Sequence, residues 1–457
     1  VAMLQSGRAA RRQTMRAIRP RRDPAVALLA VAWAGAVAVL SLWWQNTAVV
    51  HMTTAEWLIG AGRITGLLGG YMIALVVLLM ARVPALERRV GSDRVTRWHA
   101  MSGRYAISLI VAHVVLTVWG YAVQARTGLV EQTVTVVVDF PEMIKAAIGT
   151  GLLLLIGFVS AGVVRRRMAY ETWYYLHLLT YVAVYLTFWH QLATGAEFVA
   201  NPTVRTVWYV LYGAVGALLL WYRVLSPVRL NLWHRMRVES TVDEAPGVVS
   251  VLISGRRLHR LGAEAGQFFR WRFLTKGLRW SANPYSLSAP PRPNLMRITV
   301  KAVGKHSTAL SRLEPGTRIW AEGPYGAMTA GRRSRNKVLL IAGGAGITPL
   351  RALFETLPGG PGDLTLLYRA SKKQDLALWD ELQQIAERRD AQLMYAVNGP
   401  DGARPEITAE RLKEVLPDID AHDVYLCGPP GLAEESYQAL REAGVPSRRI
   451  HHESFEM

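Results

Sequence analysis

Four histidines fall in two apolar stretches of the chain, His99 with His113 in one and His177 with His190 in the other. Imidazole is a strong iron ligand, and an ionisable ring inside a membrane segment points to function. The first pair is 14 residues apart, about 21 Å of helical rise, and that spacing returns nearly to the same helix face. With both helices running outward from the cytoplasm, His99 lies at the depth of His177 and His113 at the depth of His190. Two stacked imidazole pairs suit two bis-histidine haems, one near each leaflet. One tetrahedral zinc ion does not fit, because roughly 20 Å separates the pairs. The second pair is 13 residues apart, about 140° out of register. That demands either a bulge or approach to the two irons from opposite flanks. Arg63 lies within an apolar stretch, where a charge needs a counter-charge, and a haem propionate is its natural partner. Arg82, at the inner end of the same stretch, reads as a topogenic charge.

A second set of residues suits a flavin. Asn283, Pro284, Tyr285, Ser286 and Ser288 lie between strand signals. Tyr285 offers a ring to stack on an isoalloxazine, and the serines offer hydroxyls to its polar edge. Further on, Val300, Lys301, Gly304, His306 and Ser307 combine a strand end, a glycine and positive charge, a pattern suited to phosphate.

A third set suits a dinucleotide. Gly343, Gly344, Gly346, Thr348 and Pro349 follow an apolar strand and open a helix, where backbone amides bind a pyrophosphate. Cys427, Gly428 and Pro429 end another apolar strand, which places Cys427 where a nicotinamide meets the carboxyl edge of a sheet. Arg369, with Lys372 and Lys373 close behind, brings cations to the position of an adenosine 2′-phosphate and favours NADPH over NADH. Cys427 is the one cysteine, which excludes a disulfide framework, a Cys-ligated zinc site and an iron–sulfur cluster held by this chain alone.

These residues need elements to hold them. Of 457 residues, 51% are hydrophobic and 19% charged, with a net charge of +19, a balance that excludes a disordered polar chain. Six apolar stretches, 25–43, 57–81, 100–123, 147–164, 174–193 and 204–222, are each long enough to cross a bilayer as a helix. The first is too long for the apolar core of a cleavable signal peptide. Seven arginines between Arg8 and Arg22 precede it, and arginines crowd every second loop, whereas the segments 44–56, 124–146 and 194–203 hold only Arg126 and Lys145. The positive-inside rule therefore expects six helices with both termini cytoplasmic. The same distribution argues against nucleic acid, because the arginines flank spans rather than line one soluble face. From about residue 234, short alternating runs such as Val248–Ile253 and Met296–Val300 read as an antiparallel β-barrel. After about 335, strand-like and helix-like runs alternate, as in an α/β domain with a parallel sheet. The expected organisation is a basic cytoplasmic tail (1–24), an all-α six-helix transmembrane haem domain (25–233), a β-barrel FAD domain (234–333) and an α/β NADPH domain (334–457).

The combination resembles the ferric reductase/NADPH oxidase superfamily, including bacterial NADPH oxidase-like proteins: a six-helix haem domain fused to a ferredoxin-reductase-like flavin and NADPH module. The resemblance covers nearly the whole chain after the basic tail. It implies that His99 and His177 hold an inner b-type haem, and His113 and His190 an outer one. It implies that Asn283–Ser288 and Gly304–Ser307 bind FAD, and that Gly343–Pro349 and Cys427–Pro429 bind NADPH. Phe455 resembles the aromatic that covers the flavin, and Ser286, Cys427, Phe455 and Arg63 are the residues implied to serve catalysis. Asn283 stands where the family usually has His or Arg.

The implied enzyme carries electrons from cytoplasmic NADPH through FAD and two haems to an outside acceptor. Oxygen, giving superoxide, is the first expectation, since Arg63 resembles the family's outer-haem arginine. A ferric chelate is the second, and an extracytoplasmic partner protein served by this chain as an electron-transfer subunit is the third. Membrane lipid and a small-molecule acceptor are the expected partners. No obligate protein partner is indicated.

Overall fold

A computed structural model describes residues 24–45, 52–399 and 402–453. The basic tail and Phe455 lie outside the described residues.

Each of the six apolar stretches falls on a helix. These are α1 (Pro24–Gln45), α2 (Thr54–Leu79), α3 (Ser92–Ala125), α5 (Met143–Val159), α6 (Tyr170–Thr194) and α7 (Pro202–Leu220), with α4 (Leu129–Asp139) between α3 and α5. Local chemistry sets their starts. Thr53 and Glu56 close a reciprocal capping box on α2, and the Asn201 side chain accepts from Thr203 and Val204 ahead of Pro202 on α7. The chain among the described residues has four helices long and apolar enough to cross a membrane: α1, α2, α3 and the continuous Pro202–His234. The α4–α5 pair, bent by 115°, makes a fifth if it counts as one span. Helix α6 is 25 residues long but falls short of that apolarity, because tyrosine, threonine, histidine and glutamine interrupt it. The N-terminal region is thus a set of apolar helices of an integral membrane protein.

Glycines bring these helices close, as suits packing in lipid. A β-carbon on Gly62 would stand 2.4 Å from the Thr117 hydroxyl, and one on Gly149 would stand 2.9 Å from the Ala183 carbonyl. Helix α7 continues through a π-turn, Trp221–Leu225, and a further helical segment, Ser226–His234. The chain then enters its first strand at Arg237.

The next region is a β domain whose described strands form no single closed sheet. Its strands are β1 (Arg237–Ala245), β2 (Val248–Ser254), β3 (Phe268–Phe273), β4 (Asn283–Ser286), β5 (Leu295–Lys301) and β6 (Ile319–Tyr325). They form two antiparallel three-stranded sheets, ordered β1-β2-β5 and β4-β3-β6. The sheets share one core, which includes Val251, Phe269, Trp271, Leu287 and Ile298. Isolated bridges, Arg237 to Arg318 and Leu287 to Ile298, link them without a continuous ladder. Register shifts within the sheets, in β1 against β2 and in β3 against β6, add local bends to the strands.

The last region is a five-stranded parallel sheet ordered β11-β10-β7-β8-β9, from β7 (Val338–Gly343), β8 (Leu364–Ala370), β9 (Gln392–Val397), β10 (Asp423–Cys427) and β11 (Ile450–Glu453). Helices α8 (Ile347–Thr356), α9 (Trp379–Arg389) and α10 (Pro430–Glu442) connect its strands. Strand β7 is buried along its whole length, as a near-continuous apolar run predicts for a two-sided parallel strand. From β7 the chain builds β8 and β9 on one side, then β10 and β11 on the other. The switch point at the end of β7 is where such sheets bind ligands.

Candidate functional site

The structure brings the four membrane histidines together in the two expected pairs. The rings of His99 and His177 have centroids 6.0 Å apart, and those of His113 and His190 are 6.4 Å apart. One iron bonded at about 2 Å to two facing imidazoles puts their centres about 6 Å apart, so both gaps fit a bis-histidine haem. Nδ1 of His99 lies 3.1 Å from the Val76 carbonyl, and Nδ1 of His113 lies 2.8 Å from the Gly62 carbonyl. A carbonyl only accepts, so Nδ1 carries the proton and Nε2 is left as the ligand atom. Helix α6 is unbroken from Tyr170 to Thr194, so no bulge resolves the 13-residue offset. His177 and His190 reach their partners from different flanks of one straight helix. Gly66 supplies the space beside His113, since a β-carbon there would stand 2.6 Å from Nδ1.

Arg63 has a protein counter-charge. Its Nε donates to Glu197 Oε1 at 3.0 Å, and Nη2 bonds to the same oxygen. Glu197 sits in the short helix Ala196–Ala200, its side chain 2% exposed. Nothing in the sequence pattern marked Glu197, because it lies outside the apolar stretches.

The expected flavin residues divide into two groups. Tyr285 on β4 places its hydroxyl 3.2 Å from His306 Nδ1 in the short helix Lys305–Ala309, and the two rings lie 6.4 Å apart. Burial pushes the Tyr285 phenol up to about 12, so it stays protonated at neutral pH. Asn283 and Pro284 are half-buried beside it, Ser286 is buried, and Lys301 and Gly304 are exposed. Ser288 and Ser307 instead serve the protein. The Ser288 hydroxyl, 0% exposed, accepts from Arg297 Nε at 3.1 Å and from Thr299 Oγ1 at 2.7 Å. The Ser307 hydroxyl accepts from the amides of Val303 and Gly304. Val300 is buried in the shared core.

The dinucleotide residues converge at the switch point. A β-carbon on Gly346 would stand 2.0 Å from the Cys427 carbonyl oxygen, and one on Gly428 would stand 3.3 Å from Gly343 Cα. The turns after β7 and β10 therefore pack backbone to backbone. Gly344, at φ +52°, faces open space, which is the opening a phosphate needs above a helix start. Thr348 is buried and donates to the Ala345 carbonyl, while Pro349 sits in the first turn of α8. Cys427 is fully buried and donates weakly to the Glu453 carbonyl at 3.6 Å, so its side chain lies beneath the crevice floor. Pro429 is exposed at the rim. Arg369 is 7% exposed and spends its guanidinium on the Pro405 carbonyl at 2.5 Å and Asn398 Oδ1 at 3.2 Å. Lys372 and Lys373 are the exposed cations there.

Polar clamps unmarked by sequence pattern join these sites. Arg297 of β5 makes a bidentate pair with Glu381 of α9, at 2.6 and 2.8 Å, and Arg351 of α8 adds a third contact at 2.8 Å. Burial pushes the Glu381 carboxyl up, but Arg297 and Arg351 outweigh it and hold it below its ordinary value. Glu453, at the end of β11, accepts from the Ala327 amide at 2.7 Å and so ties the turn after β6 to the parallel sheet. Asn231 donates to the Ala321 carbonyl and accepts from the Ala321 amide, which pins β6 to the helix that leaves the membrane. Arg82 lies over the Tyr325 ring at 5.0 Å and 3.6 Å from Glu322. Its place in a clamp, rather than only at a membrane edge, is visible in three dimensions alone.

Residues 65–188 match the family described as the ferric reductase like transmembrane component, and residues 340–438 match the oxidoreductase NAD-binding domain. The chain is 30% identical over 242 residues to the reductase subunit of stachydrine N-demethylase from Rhizobium meliloti, which covers 50% of this chain and 69% of that protein. It is 29% identical over 199 residues to the plasma membrane-associated coenzyme Q6 reductase of Saccharomyces cerevisiae, covering 41% of this chain and 64% of that one. Across these and similar curated relatives the chain spans between 45% and 69% of their length. Among solved structures, the flavohemoglobin of Malassezia yamatoensis aligns with 89% of this chain and 99% of its own at 18% identity and a TM-score of 0.45. With a ferric-reductase-like transmembrane component followed by an NAD-binding reductase module, the chain belongs to the ferric reductase/NADPH oxidase superfamily and is an NAD(P)H oxidoreductase.

Proposed function

We propose that this protein carries electrons from cytoplasmic NADPH, through FAD and two b-type haems, to an acceptor on the outer side, with O2 reduced to superoxide. The observation that carries this reading is the pair of imidazole pairs, with centroids 6.0 and 6.4 Å apart, in apolar helices covalently joined to a reductase module. In this reading six helices cross the membrane, with α6 among them and the α4–α5 pair as one crossing. The tail and the reductase module face the cytoplasm, as the arginine distribution favours. The domain limits are 25–233, 234–333 and 334–457.

Bound FAD would supply the conversion between two-electron hydride chemistry and the single-electron transfers that haem acceptors require. The chain's own residues do the rest. Tyr285, held by His306, supplies a platform for the ring, and Ser286 lies at its polar edge. Asn283, Pro284, Val300, Lys301, Gly304 and Ser307 frame the remainder, while Ser288 acts through Arg297 and Thr299. The open turn at Gly343, Gly344 and Gly346, with Thr348 and Pro349 behind it, receives the pyrophosphate. Cys427, Gly428 and Pro429 form the floor and rim under the nicotinamide, and the family resemblance gives Phe455, outside the described residues, the role of flavin cover. Arg63, paired with Glu197, keeps a neutral ion pair near the outer imidazoles.

Ferric-chelate reduction is the second reading, favoured by the match of residues 65–188 to the ferric reductase like component. Purified protein given NADPH separates the two. Superoxide-dismutase-sensitive reporter reduction in air supports O2. Ferrous-chelate formation under anaerobic conditions, without a dismutase-sensitive signal in air, replaces it with the second reading.

A further inference from the structure

The two imidazole pairs are held differently behind the metal position. His99 and His113 each face a backbone carbonyl, which no side-chain substitution removes. His177 faces a side chain: its Nδ1 lies 3.2 Å from the Ser160 hydroxyl, at the inner end of α5. Trp173, one turn before His177 on α6, donates its indole N–H to the same hydroxyl at 3.3 Å. The indole also stacks on the His177 ring, with centroids 5.1 Å apart and planes at 25°. Over the Trp173 ring sits the Arg165 guanidinium, 4.5 Å from the ring centre, a cation–π contact from the cytoplasmic loop. The series Arg165, Trp173, Ser160 and His177 therefore runs from the cytoplasmic edge to the imidazole without a gap.

We propose that Ser160 and Trp173 are positioning residues that fix the tautomer and tilt of the His177 imidazole and lower the reduction potential of the inner haem. The inference rests on the bis-histidine reading given above. Indole N–H only donates, so Ser160 Oγ accepts from Trp173. With Nε2 on iron, Nδ1 of His177 carries the proton and donates to the second lone pair of the same oxygen. Such a donated hydrogen bond makes the imidazole more basic and favours ferric over ferrous iron. The stacked indole blocks rotation of the ring about its χ2 angle. The outer pair is held otherwise: His113 Nδ1 lies 2.8 Å from the Gly62 carbonyl, with the Thr117 hydroxyl a longer contact at 3.4 Å. The two haems would thus differ in potential through their surroundings while sharing the same ligands. One of the arginines that orient the chain in the membrane has a second use as the clamp on Trp173.

The test uses the full chain in detergent, with haem content and potentiometric titration as readouts. The parent should hold two haems with separable midpoints. Ser160→Ala should move only the inner-haem midpoint upward, raising the reduced-to-oxidised ratio at a fixed potential roughly tenfold, about 60 mV for a one-electron couple. Ser160→Thr should return it to the parent value, and Trp173→Phe, which keeps the stacking and loses the N–H, should fall between. Loss of one haem in Ser160→Ala with recovery in Ser160→Thr supports the same role. Two unchanged midpoints in Ser160→Ala, or an equal shift of both, overturns the proposal. A parent chain that holds no haem overturns the bis-histidine reading instead.

Discussion

The carbonyl oxygen of Cys427 lies 2.0 Å from the point where a β-carbon on Gly346 would stand. Gly346 sits in the turn after β7 and Cys427 ends β10, both at the carboxyl edge of one parallel sheet, so neither can swing aside as a long side chain would. Gly346→Ala must push the turns after β7 and β10 apart. A displacement near 1 Å at a hydride-transfer site costs about a hundredfold in rate. Stopped-flow flavin reduction by NADPH should show that loss in Gly346→Ala, with haem content equal to the parent. Gly344→Ala meets no atom within 4 Å but is strained by its φ of +52°, so its effect should be smaller.

The imidazole pairs predict separable haem losses. His113→Leu or His190→Leu should each remove the outer haem and stop turnover of an external acceptor, while NADPH still reduces flavin and the inner haem. Gly66→Ala should imitate them, because its new methyl would stand 2.6 Å from His113 Nδ1. Reduced-minus-oxidised spectra and haem counts check all three. Equal loss of both haems in folded protein would contradict pairing by depth.

The histidine pairing was legible because it depends on helical rise alone, and His99, His113, His177 and His190 all lie in long apolar runs. The parallel sheet was legible too, since Val338–Ala342 and Val424–Cys427 are apolar runs of strand length, each followed by glycine. What could not be read were contacts set by tertiary approach. Glu197 meets Arg63 across 134 residues, and Asn231 meets Ala321 across 90. The partners of the Ser288 hydroxyl, Arg297 and Thr299, are of the same kind, since a hydroxyl in a motif does not show which groups reach it. How the two sheets join was not legible for a related reason. Alternation shows which strands exist, whereas closure depends on register between Leu287 and Ile298, about which alternation says nothing.

Nucleotide selectivity should rest on the exposed cations after β8 rather than on Arg369. Lys372→Ala should raise the KM for NADPH and leave that for NADH nearly unchanged. Loss of one charge-assisted contact of about 1.5–3 kcal/mol corresponds to roughly tenfold to a hundredfold. Arg369→Ala should instead weaken use of both nucleotides in parallel and lower the Tm, because it leaves the Pro405 carbonyl and Asn398 without their donor. Steady-state kinetics with the two nucleotides separates the roles. A selective NADPH effect in Arg369→Ala would return the 2′-phosphate to that side chain.

Asp423 makes the parallel sheet acid-sensitive. Burial pushes its carboxyl up, but the His451 imidazole 3.5 Å away and the Ser334 amide and hydroxyl outweigh it. The folded value lies below the ordinary 3.8. A depressed carboxyl contributes its stability in full above the unfolded value and loses it as pH falls through the folded one. Acid should therefore loosen the 334–343 and 423–427 segments below about pH 4. Asp423→Asn should lower stability at neutral pH and flatten this acid dependence. Hydrogen exchange of those segments against pH measures both effects, and an unchanged acid limb in Asp423→Asn would assign it to another carboxylate.

Arg82 is where the membrane helices meet the two-sheet domain. It leaves α2 at φ +57°, lies over Tyr325 and faces Glu322 of β6, while Glu87 of the short helix Pro84–Val90 is buried beside it. Burial pushes the Glu87 carboxyl up against the pull of Arg82, Arg223 and Arg270. Removing Arg82 would therefore leave Glu87 buried with less compensation and free Tyr325 to shift. Tyr285 lies on β4, in the same sheet as β6, so a loosened junction changes the gap between flavin and inner haem without touching either site. Arg82→Ala should leave NADPH-driven flavin reduction at the parent rate and slow subsequent haem reduction, by about tenfold for a loss near 1.4 kcal/mol. Arg82→Lys keeps the charge but not the planar stacking on Tyr325 and should recover only part of the rate. Stopped-flow traces at flavin and haem wavelengths resolve the two steps. If both slow together, Arg82 supports the fold of the reductase module rather than its docking beneath the membrane helices.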